Sequence, residues 1–175
     1  TLVDILAKKG ISDIKITGGE PLERKDLPKM VELISSIRGI KRVELVTRSP
    51  KVGKIATALK DCGLSCLNFS LDSLDPYTFF RITGGRRLDL LMQAIKHAAK
   101  SGMPLKFNMV VMKGINDHEI SSMIEFAGRY RAVLKLLDLM NMPKDAKFLY
   151  KYYMPLDCVV EILSKKALKQ SMETP

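Results

Sequence analysis

Short β-rich apolar runs alternate along this chain with longer helical stretches. The runs predict strands at about 12–16, 42–47, 66–71, 105–112 and 133–139. Helix signals fall between them. Asp26 is a candidate N-cap for a helix running to about Arg38. Ser49-Pro50 places a cap and a first-turn proline before a helix over 54–61, with Gly63 as its stop. Asp75-Pro76 repeats the device before a short helix, and the stretch 88–100 ends at Gly102. Asn116, with Glu119 three residues on, has the spacing of a capping box. Strand starts lie roughly 25–40 residues apart, as expected of βα units whose parallel strands need helical crossovers. The order predicts an α/β fold.

Residue parity within the strands sharpens this. Leu67, Phe69 and Leu71 share one face, and Asn68, Ser70 and Asp72 the other. Leu105, Phe107 and Met109 oppose Lys106 and Asn108, while Ile14 and Ile16 oppose Lys15 and Thr17. A doubly wound open sheet would read apolar on both faces of its strands. One apolar and one polar face predicts a barrel with a wet, ligand-filled interior instead. Two lysines inside it call for an anion to offset their desolvation.

The 175 residues fit a single domain, 1–175, with interior enough for a sizeable core. The sequence starts at Thr1 rather than Met, which predicts a fragment or a processed product. No run of about 18 apolar residues predicts a membrane helix, and residues 1–10 are too polar for a signal-peptide core. Three cysteines make no disulfide framework and fit a reducing cytoplasm; two histidines argue against a His/Cys zinc site. Lys and Arg number 29 against 19 Asp and Glu, a net +10. That balance suits an anionic ligand such as a nucleotide. Most of the excess, Lys165-Lys166 included, reads as solvated surface, and nucleic acid is not the expected partner.

Thr17-Gly18-Gly19-Glu20-Pro21 closes the first strand where the backbone must turn. Paired glycines permit positive φ and let a ligand approach the bare main chain; the carboxylate that follows can hold an ammonium group. An ordinary strand-to-helix loop would use similar residues. Four further segments bear on the choice: Asn68-Phe69-Ser70-Leu71-Asp72, Phe80-Arg81-Ile82-Thr83-Gly84, Lys106-Phe107-Asn108-Met109-Val110 and Val111-Met112-Lys113-Gly114-Ile115-Asn116-Asp117.

With 134–142 after them, the order and spacing of these segments resemble the radical S-adenosylmethionine enzymes. Within those enzymes they resemble the GTP 3′,8-cyclase family of molybdenum-cofactor biosynthesis, over about residues 11–142. The Gly-Gly-Glu-Pro turn is shared by many radical enzymes. The run Ser70–Asp75 together with Lys113–Asp117 is more specific to the cyclase. The resemblance implies a partial (βα) TIM-like barrel of the radical S-adenosylmethionine type, truncated at both ends. It also implies S-adenosylmethionine and 4Fe-4S clusters as cofactors, GTP as substrate, and a lyase forming a 3′,8-cyclised nucleotide.

By the same resemblance Gly18, Gly19, Glu20 and Ser70 would hold S-adenosylmethionine, with Met140 near its adenine. Lys15 and Lys106 would meet the GTP phosphates, and Lys135 and Thr47 would be further substrate contacts. Relatives often carry Thr-Thr-Asn-Gly where this chain has Val46-Thr47-Arg48-Ser49, so the first hydroxyl of that pair is lost at Val46. The family's Cys-x-x-x-Cys-x-x-Cys loop belongs upstream of Thr1 and a second cysteine set beyond Pro175. No catalytic residue and no metal ligand is therefore expected in this chain, and alone it is expected to be inactive.

The remaining chemistry-bearing side chains read as structural. Cys62 and Cys66 lack a third cysteine, and Cys158 reads as core beside Val159 and Ile162. His97 reads as surface or partly buried; Met109, Met112 and Met142 read as packing. Two other readings stand beside the cyclase: a non-catalytic nucleotide- or RNA-binding α/β module, and a different radical enzyme acting on tRNA or peptide. A homodimer is an expectation for its assembly.

Overall fold

The computed structural model describes residues 1–140, 150–161, 163 and 164. The five strands are β1 (Asp13–Ile16), β2 (Arg42–Thr47), β3 (Cys66–Ser70), β4 (Leu105–Val110) and β5 (Val133–Leu137). They form one parallel sheet in the order β1-β2-β3-β4-β5. The helices up to β5 are α1 (Leu2–Lys8), α2 (Leu27–Ser35), α3 (Ala56–Asp61), α4 (Pro76–Ile82), α5 (Leu88–Lys100) and α6 (Ile120–Arg129).

Strand order equal to chain order decides the architecture. Right-handed crossovers between successive neighbours put the helices that connect them on the same face. A doubly wound sheet would instead reverse its order at a switch point. The covered face carries Val43, Leu45, Leu67, Phe69, Leu105, Phe107 and Met109, all buried in one core with Leu27 and Val31 of α2, Leu59 of α3, Leu91 and Ile95 of α5, and Met123 and Phe126 of α6. A run of rings, Phe69–Phe107–Phe126–Tyr130, joins β3 and β4 to α6, with successive centroids 6.2, 5.1 and 5.0 Å apart. The opposite face carries Lys15, Glu44, Asn68, Lys106 and Asn108 and is the concave, polar side of a partial barrel.

Side-chain caps set the starts of α1 and α4, whereas α2, behind the expected cap Asp26, and α3, α5 and α6 start without one. The Asp75 carboxylate accepts from Thr78 N at 2.7 Å, so α4 starts as its Asp-Pro signal requires. Ser49 caps a short 3-10 turn over Pro50–Lys54, and the α-helical part begins only at Ala56. The helix expected to reach Arg38 stops at Ser35. Helix α1, which the strand signals do not announce, is held by a capping box between Thr1 and Asp4.

Two further expectations need correction. Asn116 and Glu119 form no capping box; both side chains are taken by tertiary partners described below. Cys158 is exposed rather than core, although its neighbour Val159 is buried. Residue 162 and Met142 lie outside the described side chains, so the packing expected of them stands apart from these findings.

Candidate active site

The turn after β1 is built to stay bare. Gly18 has φ +136°, and a Cβ added at Gly18 or Gly19 would meet nothing within 4 Å. Gly19 has neither the torsion nor the crowding that would demand glycine. Leaving out its side chain keeps main chain open on a concave side, as an approaching ligand needs. Glu20, next in line, is oriented by three donors. Its Oε1 accepts from Thr47 Oγ1 at 2.7 Å and Leu22 N at 3.2 Å, and its Oε2 accepts from Arg48 N at 3.2 Å. A carboxylate has room for about four hydrogen bonds, so one acceptor position on Oε2 remains. Glu20 is thus fixed in place with capacity for one cationic donor.

Thr47 differs from what the sequence suggests for it. It is buried, its hydroxyl donates to Glu20, and it accepts from Ser49 N at 2.9 Å. By parity it belongs with Val43 and Leu45 on the helix-covered face. It acts by positioning Glu20 rather than by facing the lumen.

Deeper in the same concave face, charges gather around a residue that the sequence reading passed over. Glu44, paired in register with Lys15 on β1, is buried at 6% exposure. Its Oε1 accepts from Lys106 Nζ at 2.5 Å, and its Oε2 accepts from Asn68 Nδ2 at 3.0 Å. Lys15 Nζ lies 3.6 Å from Oε2, and Arg42 Nη1 lies 4.0 Å from Oε1. Burial pushes the Glu44 carboxyl upward, but hydrogen bonds from Lys106 and Asn68 and the charges of Lys106 and Lys15 outweigh it and hold it below the usual carboxylate range. So Lys15 and Lys106 do converge, with Asn68, on one point of the lumen. Lys106 is partly buried and Lys15 half exposed, and part of the anion expected between them is supplied by the protein itself.

One signal could have pointed to Glu44: it is the single acid in Arg42–Thr47 and shares the parity of Val46. Lys135 pairs with Asn108 and so lies on the lumen face of β5, exposed. Ser70 pairs with Asn108 at the end of β3 and is half-buried. Met140, beyond β5, is 76% exposed.

The rim of the site is held by a latch between two loops. Asn116 is fully buried. Its Oδ1 accepts from Met112 N at 2.8 Å, and its Nδ2 donates to Asp72 O at 2.7 Å and Val110 O at 2.9 Å. Glu119 accepts from Ser73 Oγ at 2.7 Å, Leu74 N at 2.7 Å and Asp75 N at 3.3 Å. Asp72 accepts from Val110 N at 2.9 Å; burial nevertheless raises its carboxyl above the usual range. The loop after β4 therefore satisfies backbone of the segment Ser70–Asp75, through Asn116 at Asp72 O and Glu119 at Leu74 N and Asp75 N, while Asp72 in return satisfies Val110 N.

The cysteines do not meet. Cys66 is buried in β3 and its thiol is pushed up by burial; Cys62 is half-buried and Cys158 exposed. Among the described residues no three His, Cys, Asp or Glu side chains are placed to hold a metal, so this chain's own cysteines do not fit an iron–sulfur cluster. A cavity of about 520 Å³ lies between α4 and the turn at Met112–Ile115, with Tyr152 on its wall. No described helix is long and apolar enough to cross a membrane.

The family model of the Radical SAM superfamily matches residues 1–127. A protein of Pyrococcus horikoshii named "Probable GTP 3′,8-cyclase" is 37% identical over 171 residues, covering 96% of this chain and 54% of its own length. A "GTP 3′,8-cyclase" of Hydrogenovibrio crunogenus is 36% identical over 152 residues, covering 86% of this chain and 46% of its own length. The chain thus spans about half the length of these curated relatives. Among solved structures, Streptococcus suis SuiB covers 99% of this chain and 40% of its own, with TM-score 0.75 and 16% identity. Escherichia coli coproporphyrinogen III oxidase covers 98% and 44%, with TM-score 0.62 and 10% identity. These two likenesses concern the fold.

Proposed function

We infer, from the premise that this chain belongs to the radical SAM superfamily, that its full-length form is a GTP 3′,8-cyclase, a cytoplasmic lyase of molybdenum-cofactor biosynthesis. One observation carries the reading. The bare glycine turn with its oriented carboxylate and the convergent Lys15 and Lys106 lie on one concave face, as binding a cofactor and a nucleotide side by side requires. The names of relatives at 36–37% identity point the same way.

In this reading the main chain at Gly18 and Gly19, the free acceptor position of Glu20 and the Ser70 hydroxyl hold S-adenosylmethionine, with Met140 beside its adenine. Glu20 takes the ammonium group, and Thr47 keeps Glu20 aimed. When bound, S-adenosylmethionine and a 4Fe-4S cluster, whose ligands belong to other parts of the protein, would supply the radical that takes hydrogen from the ribose of GTP. Lys15, Lys106 and Lys135 hold the GTP phosphates, fixing the ribose relative to the cofactor. The covered helix face and the latch at Asn116 and Glu119 keep these groups rigid.

Anaerobic calorimetric titration of full-length protein with each ligand tests this. Lys106→Ala should weaken GTP by about 1.5–3 kcal/mol, the range for a hydrogen bond to a charged group, and Lys15→Ala by the lower end of it, because Lys15 is half exposed. S-adenosylmethionine should bind as before, and Ser70→Ala should show the opposite selectivity. Equal weakening of both ligands by the lysine variants would mean that they act through folding, and would sink the assignment.

A further inference from the structure

We propose that Glu44 is a specificity-determining residue of the lumen: a built-in counter-anion that competes with an entering phosphate for Lys106 and Lys15. The inference rests on the reading that these lysines meet phosphate. It adds a residue to which no ligand contact has so far been assigned.

The geometry favours competition over simple support. Lys106 Nζ donates directly to Oε1, and a phosphate oxygen could take that donor only by lengthening or replacing the contact. Glu44 lies on the lumen face of β2, buried at 6% exposure, where water screens its charge poorly. Three cations, Lys15, Arg42 and Lys106, stand within 4.0 Å of it, and Arg42 also lies 3.5 Å from Asp13, so three cations against two carboxylates leave the cluster one positive charge beyond neutrality. An anion is therefore still attracted, but against the repulsion of a carboxylate a few ångströms away. Asn68 holds the other oxygen, so Glu44 cannot swing aside without breaking a buried hydrogen bond. A ligand with several phosphate charges offsets that loss by reaching more than one cation; a singly charged anion gains little over the carboxylate already present.

The test uses full-length protein with inorganic triphosphate and inorganic phosphate as probes, titrated calorimetrically at fixed ionic strength. Glu44→Gln should tighten triphosphate on the order of tenfold, the effect of removing one like charge from a partly screened site. Lys106→Ala placed on the Glu44→Gln background should erase that gain. Glu44→Ser provides the same comparison with a smaller side chain, each variant being checked for its folding transition.

The wild-type protein supplies a readout that needs no variant. With carboxyl-labelled glutamate, triphosphate should shift the Glu44 resonance as Lys106 leaves it. Unchanged or weakened triphosphate binding in both Glu44 variants overturns the inference, since a carboxylate that merely organises the lysines would have that effect. An unmoved Glu44 resonance at saturation overturns it too. Tightened triphosphate, with GTP binding no better than triphosphate alone, supports it while counting against the cyclase reading.

Discussion

Asn116→Ala removes the centre of the latch, and its cost can be worked from the contacts. The side chain is fully buried and makes three hydrogen bonds to backbone groups, at Met112 N, Asp72 O and Val110 O. At about 0.5–1.5 kcal/mol each, with the stranded Met112 N–H toward the upper end, the loss is about 2–4 kcal/mol. Asn116→Asp keeps the acceptor for Met112 N but discards both amide donors and sets a carboxylate oxygen against two carbonyls. It should cost more than alanine. With a urea slope of about 2 kcal/mol per molar, Asn116→Ala should lower the unfolding midpoint by about 1–2 M. Equilibrium urea unfolding followed by circular dichroism measures this directly. Hydrogen exchange should also show lost protection at Met112 N. A loss under about 0.5 kcal/mol for alanine, or an aspartate variant as stable as wild type, would refute the view that this residue ties the two motif segments together.

Other outcomes follow from single sites. Because the folded-state value of Glu44 is depressed, its contribution to stability is full above the ordinary glutamate range near pH 4.3 and lost as pH falls through the folded value; thermal midpoints of wild type and Glu44→Gln should converge toward acid, and parallel curves would contradict this. Asp72 has the opposite sign, its raised value making the ionised form a burden at neutral pH. Asp72→Asn, which keeps an acceptor for Val110 N, should be neutral or stabilising at pH 7 and lose that advantage at pH 3; strong destabilisation at pH 7 would show the charge to be needed. A Cβ on Gly53 would stand 2.9 Å from Ala94 Cα, so Gly53→Ala should cost about 1–3 kcal/mol by forcing the Pro50–Lys54 turn off α5, and an unchanged melting temperature would reject the contact.

The α/β class, the strand positions and the polar lumen were legible in the sequence because each is a local or periodic property. Side-chain parity has period two whatever the tertiary context, so Lys15, Asn68 and Lys106 declared their shared face before any contact was known. Asp75-Pro76 and the stretch 88–100 likewise carried their own boundaries. The pairing of Ser70–Asp75 with Lys113–Asp117 was visible only as co-occurrence. Its cause is non-local: Asn116 and Glu119 satisfy backbone across 44 and 45 positions of sequence, and those partners outbid the local capping box that their spacing suggests. Thr47 shows the same limit, since its hydroxyl is turned by the parity of β2 to Glu20, 27 residues earlier. The sequence could mark Glu44 as a lone acid on the wet face of β2, but not its partners, for a further reason. A lone acid in a strand is neither favourable nor unfavourable until its neighbours are known, and only the register of β1, β2, β3 and β4 brings Lys15, Asn68 and Lys106 around it. Composition and periodicity determined which face is wet; strand order alone decided which charges share it, because a charge has its partner in space and not in sequence.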